Sequence, residues 1–392
     1  MSGPLDGLVV LEAGQGISAA YCTQIMGAMG ADVIKVESPE GDETRRLGPF
    51  PDDVPDRERS ALFLYLNRNK RSITLDLDTA SGQELFRTLA KRADVVVENF
   101  APGYLDGRDL GYEALSAGHT ELVVTSVTPF GQDGPYRDYG ATEMTMFALG
   151  GLMNIVGDIS REPLKFGGSP AYHAAGVNAF TATMIGVELA ETVGIGQHVD
   201  VAIMEGLAAS HFQDLVEYEY HGAVRRRGEL RTPIPTEDGF ISFTVQAHQY
   251  DDFRRLILGD EAVSEDGDDD AVARDSQRRE GEMDMEILTW SLAKTKLEAY
   301  RLAQEAHVPA AYLADMHDIM ESPQLAARGF FVEIEHPKAG TLSYPGFPAR
   351  LTDAEWRFAP APLLGQHTDE VLRELTDLST EEIAELQAAG VV

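Results

Sequence analysis

Two short stretches carry the side chains most able to do chemistry. One is GGSPAYHAAG (167–176), a glycine-rich lead into an apolar run with Tyr172 and His173 at its centre. The other is YGATEMTMFALGG, where Glu143 stands in a largely apolar helix ahead of a Gly-Gly pair. A carboxylate in such surroundings is costly unless it is bonded or functional, so Glu143 is a candidate nucleophile or base. His173, at an apolar helix start, reads by default as a satisfied core histidine and otherwise as a proton acceptor. A third element, GQGISA (14–19), follows a strand and opens a helix, and Glu37 closes the next strand. That is close to the fingerprint in which helix N-terminal amides hold a pyrophosphate and a carboxylate holds a ribose. Alone it is a weak signal, because glycine turns between strand and helix are common structural necessities. The chain has no H-E-x-x-H, no G-x-x-x-x-G-K and no G-x-S-x-G. Metal-dependent hydrolysis, P-loop phosphoryl transfer and the α/β-hydrolase triad are therefore poorly supported.

The elements that must position these residues follow a regular alternation. LVVLEA (8–13), a helix-like ISAAYCTQIMGAMG (17–30) and DVIKVE (32–37) form a strand–turn–helix–strand unit. SITLDL (72–77), GQELFRTLAKRA (82–93), DVVVENF (94–100) and ELVVTSV (121–127) continue it. The fold class expected is α/β, with a doubly wound, Rossmann-like parallel sheet. Residues 142–155 and 171–194 read as apolar helices, 196–203 as a strand and 204–222 as another helix. After a basic, turn-rich AVRRRGELRTPIP (223–235), the segment 259–286 is highly charged and weakly patterned, a solvated excursion. The expected organisation is a large domain over 1–225, a small α+β domain over 226–331, and a segment 332–392 returning to the large domain.

Composition narrows the partners. The 65 acidic residues outnumber the 32 basic ones, for a formal net charge of −33, and the basic residues include only 7 Lys. A nucleic-acid binder needs the opposite surface. The acids are spread along a chain of ordinary apolar content, which fits a folded surface adapted to molar salt, where screening lengths fall to about 3 Å. The sequence holds no run of about 18 apolar residues, so no membrane span is expected. The start MSGPLDGLVV does not read as a signal peptide. The single cysteine, Cys22, allows no internal disulfide and no cysteine-cluster metal site. The expectation is a cytoplasmic protein without a metal site.

Taken in order, PLDGLVVLEAGQG, CTQIMGAMGADVIKVE, NKRSITLDL, ADVVVENFAPG, GQHVDVAIMEG and PLLGQHTDEVL make the chain resemble the family III CoA-transferases. That family includes formyl-CoA transferase, carnitine-pathway CoA-transferases and α-methylacyl-CoA racemase. The resemblance runs from residue 4 to the C-terminus and is weakest over about 224–330. It displaces the dinucleotide reading, since the family's Rossmann-like domain binds coenzyme A. It implies two interlocked subunits, acyl-CoA and carboxylic acid as substrates, and no tightly bound cofactor. It also implies a mechanism: an active-site Asp attacks the donor thioester, passes through a mixed anhydride and carries CoA as an enzyme thioester.

In formyl-CoA transferase that Asp lies four residues before a helix-opening glycine. The glycine corresponds to Gly176, so the Asp position holds Tyr172, which cannot form an anhydride. Ile17 and Ser38 replace a family glutamine and arginine, and the racemase histidine falls at Ala141. Residue-by-residue transfer places Leu75, Asp76, Asn99, Phe100 and Arg108 at coenzyme A, with Gly140, Ala141 and Thr142 along the pantetheine. Glu143 is retained beside the thioester. The leading expectation is an acyl-CoA:carboxylate CoA-transferase for short acids such as succinate and mesaconate, with Glu143 as replacement nucleophile beside Tyr172 and His173. The alternatives are a non-catalytic CoA-binding subunit paired with an Asp-bearing paralogue, or an acyl-CoA isomerase or racemase using His173 or Glu143 as base.

Overall fold

The computed structural model describes residues 3–225, 227, 233–260 and 283–392. Most of the charged excursion, 261–282, and part of the basic stretch, 226 and 228–232, lie outside the described residues.

The alternating sequence folds into six parallel strands. They are β1 (Val9–Ala13), β2 (Asp32–Glu37), β3 (Lys70–Thr74), β4 (Val95–Glu98), β5 (Val123–Thr128) and β6 (His198–Ala202), in the order β3-β2-β1-β4-β5-β6. Successive side chains of a strand point to opposite faces, and here both faces are covered. Val10 of β1 joins Val33, Val95 and Val97 in a core with Ala19, Met26, Ala175 and Ala179. The last four lie on helices α1 (Ser18–Ala28) and α6 (Pro170–Val193). Leu11, the next residue of β1, faces the other way, toward Leu85, Phe86 and Leu89 and toward Val371, Leu372 and Ile383 near the C-terminus. Both chain ends therefore build one unit, comprising 1–156, 162–224 and 329–392.

A second compact unit comprises 157–161 and 225–328. Its antiparallel strands Ile234–Pro235, Phe240–Phe243 and Ala310–Tyr312 pack on a core of Ile241, Phe243, Phe253, Ile287 and Val308.

Three elements differ from the sequence reading. The strand expected over 72–77 is Lys70–Thr74. Beyond Thr74 the chain leaves the sheet, and the Asp76 N–H donates to the carbonyl of Val391 near the C-terminus. The helix expected over 142–155 runs only Glu143–Leu149, because Gly151 adopts a positive φ of 88° and turns the chain. The helix expected over 204–222 is two, Ile203–Ser210 and Phe212–His221. Between them His211 takes a non-helical ψ of 46°, and its Nε2–H donates to the Gly150 carbonyl at 2.6 Å.

Candidate functional site

Strand order reverses between β1 and β4, the point where open parallel sheets hold their ligands beyond the strand C-termini. Parallel pairing sets Ala13 against Glu98, so the chain emerges with Gly14 facing Asn99. A Cβ on Gly14 would stand 2.2 Å from Asn99 Oδ1, so only glycine fits there. Asn99 latches the turn main chain from both sides. Its Oδ1 accepts the Gln15 N–H at 2.9 Å, and its Nδ2 donates to the Gln15 carbonyl at 2.6 Å and to Ser18 Oγ at 3.1 Å.

Beneath the turn lies a fully buried ionic cluster. Lys35 Nζ sits 2.6 Å from Glu12 Oε1 and 2.9 Å from Asp42 Oδ2, and Lys70 Nζ is 2.6 Å from Glu12 Oε2. Burial alone would push the Glu12 carboxyl up, but the two lysines hold it down at about 2. Burial lowers Lys70 to about 8 against the opposing pull of Glu12. Asp42 reaches from this cluster to the turn, accepting N–H bonds from Thr44 at 2.8 Å and Gly16 at 3.4 Å.

The second wall is α6, which packs directly on α1. A Cβ on Gly176 would come within 2.9 Å of the Ser18 carbonyl and 3.0 Å of Tyr21 Cβ, so the glycine lets the two helices meet. One turn earlier on α6 are Tyr172 and His173. His173 Nδ1–H donates to the Ser169 carbonyl at 2.8 Å, and its ring meets Tyr21 edge-on at 4.8 Å. Tyr172 is half-buried. Its phenol is raised by burial and by the carboxylates of Glu143 and Glu43, while the Glu143 backbone amide opposes the shift.

Glu143 is the first residue of its helix, capped by Thr142, and it is buried. Its Oε1 accepts the Ala171 N–H at 3.0 Å, and its Oε2 pairs with Lys165 Nζ at 2.8 Å. Lys165 also donates to the carbonyls of Phe166 and Gly168, each at 2.7 Å. The carboxylate thus pins segment 165–171 against the start of its own helix.

A separate cluster flanks the turn on the other side of Asn99. Phe100 stacks on Tyr104 at 4.4 Å, Arg108 lies over the Tyr104 ring at 3.7 Å, and Arg108 pairs with Asp78. Asp76 lies next to this cluster in sequence, its Oδ1 accepting the Asp78 N–H at 2.9 Å. Leu75 differs from its neighbours. Its side chain is 1 % exposed within the core, so only its main chain is left to meet a ligand. Gly140 is exposed, and Ala141 packs against the core at the foot of the Glu143 helix.

Three residues escaped the sequence reading. Lys165, one of seven lysines, is the partner that makes buried Glu143 tolerable. Glu98 is almost fully buried; burial raises its carboxyl to about 7, and hydrogen bonds from Ser126 and the Phe100 N–H oppose the shift. Glu43 follows Asp42, and its own N–H donates to Gln15 Oε1 at 2.8 Å. A Cβ on Gly16 would stand 2.7 Å from Glu43 Oε1, so the carboxylate lies against the bare face of the turn. In the second unit, Asp315, His317 and Asp318 are grouped closely enough to hold a metal ion, but Asp318 is already paired with Lys296. Among the described residues no helix is long and apolar enough to cross a membrane.

Comparison with known proteins agrees with this architecture. The model of CoA-transferase family III matches residues 5–368. Succinyl-CoA:(R)-benzylsuccinate CoA-transferase subunit BbsE of Thauera aromatica is 34 % identical, over 90 % of each chain. Succinate–glutarate CoA-transferase of Agrobacterium fabrum is 33 % identical, over 95 % of this chain and 96 % of its own. Among solved structures, a CAIB/BAIF family protein from Brucella suis superposes with a TM-score of 0.83 at 29 % identity, covering 96 % of this chain and all of its own.

Proposed function

Since the chain belongs to CoA-transferase family III and is a CoA-transfer enzyme, we propose that it moves coenzyme A between succinyl-CoA and a second short dicarboxylate of the mesaconate type. The observation that carries this reading is the junction at the strand-order switch. There a glycine turn latched by Asn99 stands beside Tyr172 and two carboxylates, Glu143 and Glu43. The dicarboxylate preference is supported by the names of the relatives, which act on succinyl-CoA or succinate.

In this reading the Phe100–Tyr104–Arg108 stack, with Asp76 and the Leu75 main chain, receives the nucleotide end of coenzyme A. An aromatic face and a guanidinium suit an adenine ring and a phosphate. The pantetheine arm runs past Asn99 and along Gly140, Ala141 and Thr142 to the thioester. Tyr172 orients the thioester carbonyl through its phenol, and His173 holds the start of α6 by its bond to Ser169. Coenzyme A enters and leaves as substrate, and no tightly bound cofactor is required.

A second copy of the chain is the proposed partner. Val177, Ile185, Leu189 and Val193 of α6, with Phe212, Leu215 and Tyr220 of the helix Phe212–His221, are exposed. So much exposed apolar side-chain surface supports a face covered by a partner. The acidic surface supports function in molar salt in the cytoplasm.

The test is exchange of labelled succinate into succinyl-CoA, with mesaconate as alternative acceptor, by the purified protein in molar KCl. Label should appear in the thioester pool without any added protein. A second reading is favoured by Tyr172 at the position of the expected Asp, and by a 34 %-identical relative that is itself a subunit. It makes the chain the CoA-binding half of a heteromer. Exchange that appears only after an Asp-bearing paralogue is added would select it. Proton exchange at the acyl α-carbon, abolished by His173→Ala, would select the isomerase instead.

A further inference from the structure

The two carboxylates beside Tyr172 differ in a way that decides which can do covalent chemistry. Both oxygens of Glu143 are committed, one to the Lys165 ammonium and one to the Ala171 amide. Lys165 is itself held by two carbonyls, so freeing Glu143 would undo the loop that opens α6. Glu43 is held only through its main chain, by Gln15, while its neighbour Asp42 is fixed by Thr44 and Gly16. Among the described residues, no hydrogen bond or ion pair engages the Glu43 carboxylate. It is exposed, and it lies over Gly16 within electrostatic reach of the Tyr172 phenol.

We infer that Glu43, entering from the loop after β2, supplies the nucleophile that position 172 lacks, and that Glu143 positions the loop around it. This rests on the CoA-transfer reading above. The carboxylate group has the reach of a glutamate side chain from a loop whose base is anchored, and the absent Cβ of Gly16 leaves it room. Burial and the neighbouring Asp42 raise its pKa, against Lys35. A more basic carboxylate is a better nucleophile.

The steps balance without an added proton or redox partner. A lone pair on a Glu43 Oε attacks the thioester carbonyl carbon; the C–S bond breaks and CoA leaves as thiolate. The product is a mixed anhydride. The thiolate adds to Glu43 Cδ, the Cδ–O bond to the acyl group breaks, and the donor acid leaves as carboxylate. Glu43 is then a CoA thioester. The acceptor carboxylate attacks Cδ and expels the thiolate, which finally takes the acceptor acyl carbon and returns Glu43 as carboxylate.

The experiment is peptide mapping of the wild-type protein after brief incubation with succinyl-CoA and trapping with hydroxylamine, which leaves a hydroxamate on the carboxyl that carried CoA. The hydroxamate should fall on Glu43. Glu43→Gln should lose exchange by about 1,000-fold or more yet keep the thermal shift produced by CoA. Glu143→Gln should still give the hydroxamate on Glu43. A hydroxamate on Glu143 overturns this assignment and leaves the CoA-transfer reading standing. Wild-type protein that gives neither hydroxamate nor exchange removes the single-chain transfer reading itself, and this inference with it.

Discussion

Below the Gly14–Ser18 turn and above it, the same residue types are used in opposite ways. In the cluster below, Glu12 and Asp42 each have a lysine within 2.9 Å, and every partner is buried. Above the turn, Glu43 is exposed, its carboxylate unpaired among the described residues and within electrostatic reach of a half-buried phenol. A paired buried acid contributes to the shape of the turn and is spent as an electrostatic partner. An acid without a partner keeps its lone pairs for a substrate. The distinction separates structural from chemical carboxylates in a chain that has 65 acidic residues, where acid content alone identifies nothing.

The comparison can be broken first from below. Glu12→Gln leaves Lys70 buried without its carboxylate, and should cost about 3–5 kcal/mol in denaturant unfolding. The same pair predicts an acid response. Glu12 titrates at about 2 in the fold against 4.5 as a free side chain. Its contribution is therefore complete above pH 4.5 and is lost as pH falls toward 2. An unfolding midpoint unchanged by Glu12→Gln would mean that the buried cluster does not hold the turn.

A smaller effect is expected at the latch. Asn99→Ala removes the bonds on both sides of Gln15, so the turn loses its fixed geometry while the fold persists. Affinity for coenzyme A should fall about tenfold, equivalent to 1.4 kcal/mol, by calorimetry. Unchanged affinity would place the ligand away from the strand-order switch.

A smaller effect still is expected at a third kind of carboxylate, buried and with no cation paired to it among the described residues. Glu98 titrates at about 7 in the fold, raised chiefly by burial, against 4.5 as a free side chain. Between these values the folded state holds the proton and the unfolded state does not, so stability falls as pH rises through the interval. Glu98→Gln should flatten that slope and raise the melting temperature at pH 8 by about 2 °C. A slope identical in both proteins would assign the pH dependence elsewhere.

The parallel sheet was legible because valine-rich runs at regular spacing admit few other structures. Boundaries failed where a charge or a glycine overrode the pattern. Lys70 and Arg71 open β3, yet their charge disguises them as loop until the buried Glu12 and the Asp32 pair are seen. His211 breaks a helix through a bond to a carbonyl 61 residues away, which no local propensity encodes. In the site, Glu143 stood out as an acid in apolar sequence. Lys165 did not, because its role depends on a loop folding back across 22 residues. Glu43 was invisible for the opposite reason: in GDETRR it looks like any surface acid, and only the fold lays it against the bare face of Gly16, within electrostatic reach of Tyr172.

Single-chain transfer requires that this chain carry coenzyme A on one of its own carboxyl groups. Intact-mass measurement after mixing the wild-type protein with succinyl-CoA in molar KCl tests it most directly. The expected result is a covalent increment equal to coenzyme A bound as a thioester, removed by hydroxylamine and by excess succinate, and absent from Glu43→Gln. Wild-type protein that exchanges label between succinate and succinyl-CoA without ever gaining that mass, under rapid quenching, would contradict it.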